Sequence, residues 1–201
     1  MVKMSGKQQF DDAVVIVGAM HVFWRRGYAA ASIDELTAAM GLSRSSLYKR
    51  FRGKEGLYEE VLAYYNERVL RRMSGVQAKT RRAQIQALLL DYVESNPEPG
   101  KPSGCMLVKA CVEIAELPPS GRATAFKGIQ AQHTLFRTII TSAVSEGELS
   151  AATKVDAMVW HFIGVLQAIM NLPQIGATES DLRNMVDSAM LVWPSPPEED
   201  W

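Results

Sequence analysis

Within seven residues the chain sets Arg44, Ser45, Ser46, Tyr48, Lys49 and Arg50, with Lys54 one helical turn further on. Arg44 carries a planar fork that fits the O6/N7 edge of guanine or a pair of phosphate oxygens. Ser45 and Ser46 are small, so a helix starting here can bring its N-terminus close to base edges or offer its N–H groups to phosphate. Tyr48, Lys49 and Arg50 suit backbone oxygens, and Lys54, just past Gly53, is set to hold a phosphate from the side. This is the chemistry of a helix lying in the DNA major groove.

Such a helix must be positioned, and residues 32–54 contain the means. Ser32 and Glu35 form an S-x-x-E capping box ahead of the apolar positions Ile33, Leu36 and Ala39. Gly41 ends that first helix, where positive φ costs least. Leu42 is an apolar pin in the turn, and Ser43 is a ready N-cap for the second helix. Leu47 and Phe51, four apart, form its inward face and leave the cationic and hydroxyl residues outside. A basic helix alone is only a solvated face. Caps, turn glycine and inward pair pointing to the same two helices make this a helix-turn-helix.

The run 23–58 carries a resemblance. Phe23, Gly27-Tyr28, Ser32, Gly41-Leu42-Ser43, Leu47-Tyr48, Phe51 and Lys54-Glu55-x-Leu57 resemble the N-terminal domain of the TetR family of transcriptional regulators. The resemblance implies a three-helix head over about residues 10–52, a homodimer, and a helical body for ligand binding and dimerisation. It places Arg44, Ser45, Ser46, Tyr48, Lys49, Arg50 and Lys54 where the family touches DNA, with Ser32 and Ile33 near a further backbone contact. Thr37 stands where the family usually has alanine, and Ser46 where glycine or threonine is usual.

Charge agrees once the chain is divided. Overall it is neutral, but residues 1–54 hold nine Lys/Arg against four Asp/Glu, and the remainder holds thirteen against eighteen. A basic head on an acidic body directs DNA to one end. Near the start, Lys3, Lys7 and the apolar stretch 13–20 imitate an export signal, but Asp11, Asp12 and Arg25-Arg26 interrupt it. Val15, Ala19, Val22 and Phe23 fall on helical spacing instead. No run approaches the roughly 20 apolar residues of a membrane span, so the expectation is a cytoplasmic protein without membrane contact.

Beyond the head the periodicity is helical throughout, giving an all-α fold. Leu57, Tyr58, Val61, Leu62 and Tyr65 mark one helix; Ile85, Leu88, Leu89, Tyr92 and Val93 mark another, ending at Pro97-Glu98-Pro99-Gly100. A short helix is expected over 105–117, stopping at Pro118-Pro119. A long one follows over 121–145 with the stripe Phe126, Ile129, His133, Phe136 and Ile140. Residues 154–171 are apolar nearly all round, and the next helix opens on the cap Thr178-x-x-Asp181 with a narrower stripe. An all-round apolar helix needs cover on more than one side, so these last two helices are expected to form the homodimer contact, as the resemblance also implies. The domain division is head 8–54, body 55–193 and loose tail 194–201.

For a small-molecule effector, the Met and aromatic residues of the body offer Tyr92, Met106, Phe126, His133, Phe136, Trp160 and His161 as pocket candidates. At helical spacing the same residues serve equally well as core, and only the resemblance argues for a pocket. Cys105 follows Gly104 at a helix start, with Lys109 one turn on, an arrangement that lowers a thiol pKa. Some electrophile-sensing members of the resembled family have a similar Gly-Cys setting, whereas Cys111 reads as a small buried hydrophobe. The three histidines lack partners at metal or triad spacing and there is no glycine-rich phosphate loop, so no metal, cofactor or enzymatic activity is expected. The resulting expectation is a ligand-responsive repressor that binds a double-stranded, palindromic DNA operator as a homodimer. The alternatives are a thiol sensor working through Cys105, or a helical binding protein without DNA recognition.

Overall fold

A computed structural model describes residues 12–94 and 102–194. Lys3, Lys7, Asp11, the Pro97-Glu98-Pro99-Gly100 break and the tail beyond Pro194 lie outside the described residues. Among the described residues the chain is all-helical, with helices α1 Asp12–Ala30, α2 Ile33–Met40, α3 Arg44–Phe51 and α4 Lys54–Ser74. These are followed by α5 Arg81–Val93, α6 Met106–Val112, α7 Pro119–Ser145, α8 Val155–Asn171 and α9 Glu179–Ala189.

The packing falls into two clusters. The first gathers Val15, Ala19 and Phe23 of α1, Leu36 and Met40 of α2, and Leu47 and Phe51 of α3. It continues into Leu57 to Leu62 of α4 and into Met106, Leu107 and Ala110 of α6, so α4 and α6 are rooted in the base of the head. The second cluster joins α5, α7, α8 and α9 around Leu88, Phe136, Phe162, Leu166 and Val186, with Trp193 tucked against Phe162 at the end. At 21 residues and ~1.5 Å per residue, α4 is long enough to reach from one cluster toward the other.

Two expectations about the body change. The helix expected over 105–117 stops at Val112: the chain tightens through Ile114 N–H to Cys111 O and Glu116 N–H to Glu113 O before Pro119 opens α7. The α7 stripe also changes in its first half. Phe126 is 64% exposed, and the buried seam runs through Gly121, Ala125, Gly128, Gln132, Phe136, Ile140 and Ala143. Its first half is small because α4 comes in close. A Cβ on Gly121 would stand 3.1 Å from the Tyr58 ring, and one on Gly128 would stand 2.5 Å from Asn66 Nδ2. Backbone approach here does what large side chains do elsewhere, so hydrophobicity misplaced Phe126, while Phe136 and Ile140 are buried as their spacing predicts.

One stretch, Val155–Ile175, has the length and the mean hydropathy, 1.4, of a membrane span, contrary to the expectation that none would. The reason lies in its two faces. α8 buries Met158, Val159, Phe162, Ile163, Leu166 and Ile169 in the second cluster, while Ala157, Trp160 and Gly164 remain uncovered on the other side.

Candidate nucleic-acid interface

Helices α2 and α3 are held by short-range bonds that the residue types dictate. Ser32 Oγ accepts from Glu35 N–H at 3.1 Å while the Glu35 carboxylate accepts from Ser32 N–H at 3.2 Å, closing the capping box. These bonds hold the Glu35 carboxyl below its ordinary pKa, with Arg26 adding a smaller push. Gly41 takes the left-handed conformation, φ 63°, and its N–H returns to the last carbonyls of α2. Thr37 is buried, but its hydroxyl donates to Ile33 O at 2.9 Å, so a polar residue in an alanine setting is satisfied locally. Ser43 caps α3, accepting from Ser46 N–H at 3.1 Å, and its hydroxyl also lies 2.9 Å from those of Ser45 and Ser46.

From that cap, Leu47 and Phe51 point inward, fully buried. Arg44, Ser45, Ser46, Tyr48, Lys49 and Arg50 share the exposed side, and Ser32 and Ile33 stand at the start of α2 beside them. Tyr48 is 55% exposed on this side. Arg50 lies over the Phe51 ring at 4.8 Å. Arg44 is engaged in a way the sequence did not foretell: Nε and Nη2 donate to both Asp34 oxygens at 2.6 to 2.9 Å. Lys54 is also more occupied than expected. Its ammonium donates to Ala29 O at 3.2 Å and lies 4.7 Å above the Tyr28 ring. Burial pushes its pKa down, and the Glu113 carboxylate partly restores it.

Sequence reasoning missed Glu113 and the contact that it and Lys109 make with the end of α1. At the end of α1, Gly27 adopts φ 79°, breaking the helix and freeing the Tyr28 N–H. Glu113, at the end of α6, accepts that N–H at 2.7 Å, and Lys109 of α6 donates to Arg25 O at 2.7 Å. A Cβ at Gly27 would run into the Glu113 carboxylate, so glycine is required both for conformation and for room. The body thus clasps the head by its backbone, 85 residues away in sequence. Only the positive-φ glycine next to an aromatic hinted at it.

The cysteine expectations are reversed. Cys105 is 3% exposed and accepts from the Tyr65 hydroxyl at 3.4 Å, while the same hydroxyl accepts from Met106 N–H at 3.3 Å. Burial raises its thiol pKa, outweighing the Tyr65 bond and the N–H groups of Val108 and Leu107. Lys109 offers it no charge, being turned to Arg25. Cys111, expected inside, is exposed. The pocket candidates do not converge either. Met106 belongs to the first cluster and Phe136 to the second, while Phe126 and Trp160 are exposed. His133 leans on Trp160 at 5.0 Å, and a His161 ring nitrogen lies 3.2 Å from Ala189 O. Tyr92 keeps a buried hydroxyl with no hydrogen-bond partner among the described residues.

Comparison with known proteins decides what this arrangement is. The profile of bacterial regulatory proteins of the tetR family matches residues 15–61, and that of the tetracyclin repressor-like C-terminal domain matches residues 81–191. The chain belongs to the TetR family. Among curated TetR-type proteins it is similar to the HTH-type transcriptional repressor ComR of Escherichia coli, at 26% identity over 92% of this chain and 90% of ComR. Among solved structures it resembles a cysteine-substituted CifR in complex with 26-base-pair operator DNA, with TM-score 0.79 and 28% identity over 93% of this chain and 99% of that one. The reduced form of Escherichia coli NemR shares the TetR fold, with TM-score 0.75 at 19% identity over 92% and 98% of the two chains. This TetR-family chain is a DNA-binding transcriptional regulator, and the family is one of regulators rather than enzymes.

Proposed function

We propose that this regulator is a ligand-responsive repressor which binds a palindromic operator as a homodimer in the cytoplasm. The observation that carries the reading is α3 itself. It is locked inward by Leu47 and Phe51 and turns Arg44, Ser45, Ser46, Tyr48, Lys49 and Arg50 outward together. Those residues, with Lys54 and the α2 start at Ser32 and Ile33, are the DNA-contacting set. ComR's name as a repressor and the operator bound to CifR support it. The division into a head of residues 8–54 and a body of residues 55–193 is supported by there being two separate family matches, over 15–61 and 81–191.

The dimer forms through α8 and α9. Ala157, Trp160 and Gly164 leave an uncovered face on α8, and Leu191, just past α9, is 82% exposed. Two-fold symmetry then sets the α3 helices in successive major grooves, about 34–36 Å apart. An effector bound in the body favours a head spacing that no longer fits, a shift of populations between two states. Both α4 and the α6 clasp at Tyr28 carry that shift to the heads. Tyr92, whose buried hydroxyl seeks a partner, is the candidate the structure supports best for the effector side.

A gel shift with DNA from upstream of the protein's own gene tests the reading. Binding is expected to be salt-sensitive and weakened by Arg44→Ala and Tyr48→Phe. Absence of binding at low salt would overturn it.

A further inference from the structure

The seven residues of α6, Met106–Val112, are too few to hold a helix on their own, since isolated helices need about 12–15. Met106, Leu107 and Ala110 are buried, which decides the face that α6 turns inward. Apolar contacts carry no direction and leave its position along its own axis loosely set. Hydrogen bonds at its two ends supply that position. At the far end Glu113 accepts from the Tyr28 N–H, and Lys109 donates to Arg25 O. At the near end the partner is Tyr65 of α4, only 5% exposed. Its hydroxyl oxygen accepts from Met106 N–H at 3.3 Å, and its proton is donated to Cys105 Sγ at 3.4 Å. Burial, with Cys105 beside it, pushes the Tyr65 pKa up, so the donor stays protonated.

One oxygen thus ties the middle of α4 to the first residue of α6, while the Tyr65 ring stands edge-on to Trp24 of α1 at 5.0 Å. From there the contacts run toward the head. Glu113, at the end of α6, holds the Tyr28 N–H, and the Tyr28 ring underlies the Lys54 ammonium at 4.7 Å. On the reading that Lys54 holds a phosphate, we infer that Tyr65 is a positioning residue for DNA binding. Its hydroxyl seats α6 along its axis and so sets the pose of Tyr28 and Lys54 from inside the body. Tyr65 itself is too deeply buried to touch DNA.

Tyr65→Phe keeps the ring and removes the hydroxyl. Gel shifts of the full chain with DNA from upstream of its own gene, over a range of salt, read the effect. Affinity is expected to fall about threefold to tenfold. The slope of log K against log salt should become shallower by about one phosphate contact per head, which a loss of stability alone does not produce. In a Lys54→Ala background Tyr65→Phe should cost nothing further. An unchanged affinity or slope, or losses that add in full, would end the inference. Native-state hydrogen exchange on the parent needs no variant: the Met106 and Tyr28 N–H groups should open together, with one dependence on denaturant. Tyr28 opening independently of Met106 would overturn the inference even where Tyr65→Phe fails to fold. A Lys54→Ala protein that binds the duplex as tightly as the parent would instead overturn the reading of Lys54 on which the inference rests.

Discussion

Helices α2 and α3 and helices α6 and α7 are built from similar residues under different rules. In α2 and α3, the caps and the inward pair are set by partners fewer than five residues away: Ser32 with Glu35, Ser43 with Ser46, Leu47 with Phe51. In α6 and α7, what matters is set by distant chain. Tyr65 claims Cys105, Arg25 O claims Lys109, and Tyr58 and Asn66 press on Gly121 and Gly128. Local rules made the reading helix stand where its spacing said. Distant contacts turned Phe126 outward and exchanged the fates of the two cysteines.

The contrast can be broken or sharpened by experiment. The largest effect is expected from Phe51→Ala, which empties a fully buried aromatic site at the end of α3. A loss of about 3–5 kcal/mol in denaturant unfolding should accompany loss of DNA binding. A smaller cost would mean that α3 is held by more than its inward pair.

Glu113→Ala tests the distant rule directly. It leaves the Tyr28 N–H without its acceptor, a penalty of about 1–3 kcal/mol. Operator affinity should fall and amide exchange at Tyr28 should quicken, although residue 113 lies outside the reading helix. Unchanged exchange would remove the clasp from the coupling route.

Ser32→Ala tests the local rule and should cost about 1 kcal/mol through the lost cap. The Glu35 pKa is depressed in the fold, so its contribution is present above the unfolded carboxylate value of about 4.3 and is lost as pH falls through the folded one. The melting difference between parent and variant should therefore narrow in acid. A constant difference would show that the reciprocal Glu35 bonds add nothing.

The mildest test is alkylation of the native protein followed by mass spectrometry. Iodoacetamide should mark Cys111 first and leave Cys105 until the fold opens. Burial raises both thiols, so the Cys111 rate should keep climbing above pH ~8.5. Early modification at Cys105 would contradict its burial beside Tyr65.

The residue pattern alone determined the helix-turn-helix, both of its caps, its inward pair and the set of side chains left outside. Those depend on bonds spanning three or four residues, which spacing encodes directly. It determined the all-helical class for the same reason. Tertiary structure alone decided that Arg44 pairs with Asp34, that Lys54 bonds Ala29, and that Lys109 and Glu113 grip the end of α1. It also decided which cysteine is hidden and that glycines carry the first half of the α7 core seam. Each of these turns on a partner that sequence order leaves unspecified: a carboxylate ten residues away, a backbone carbonyl or N–H 25 to 85 residues away, a neighbouring helix close enough to make glycine a core residue.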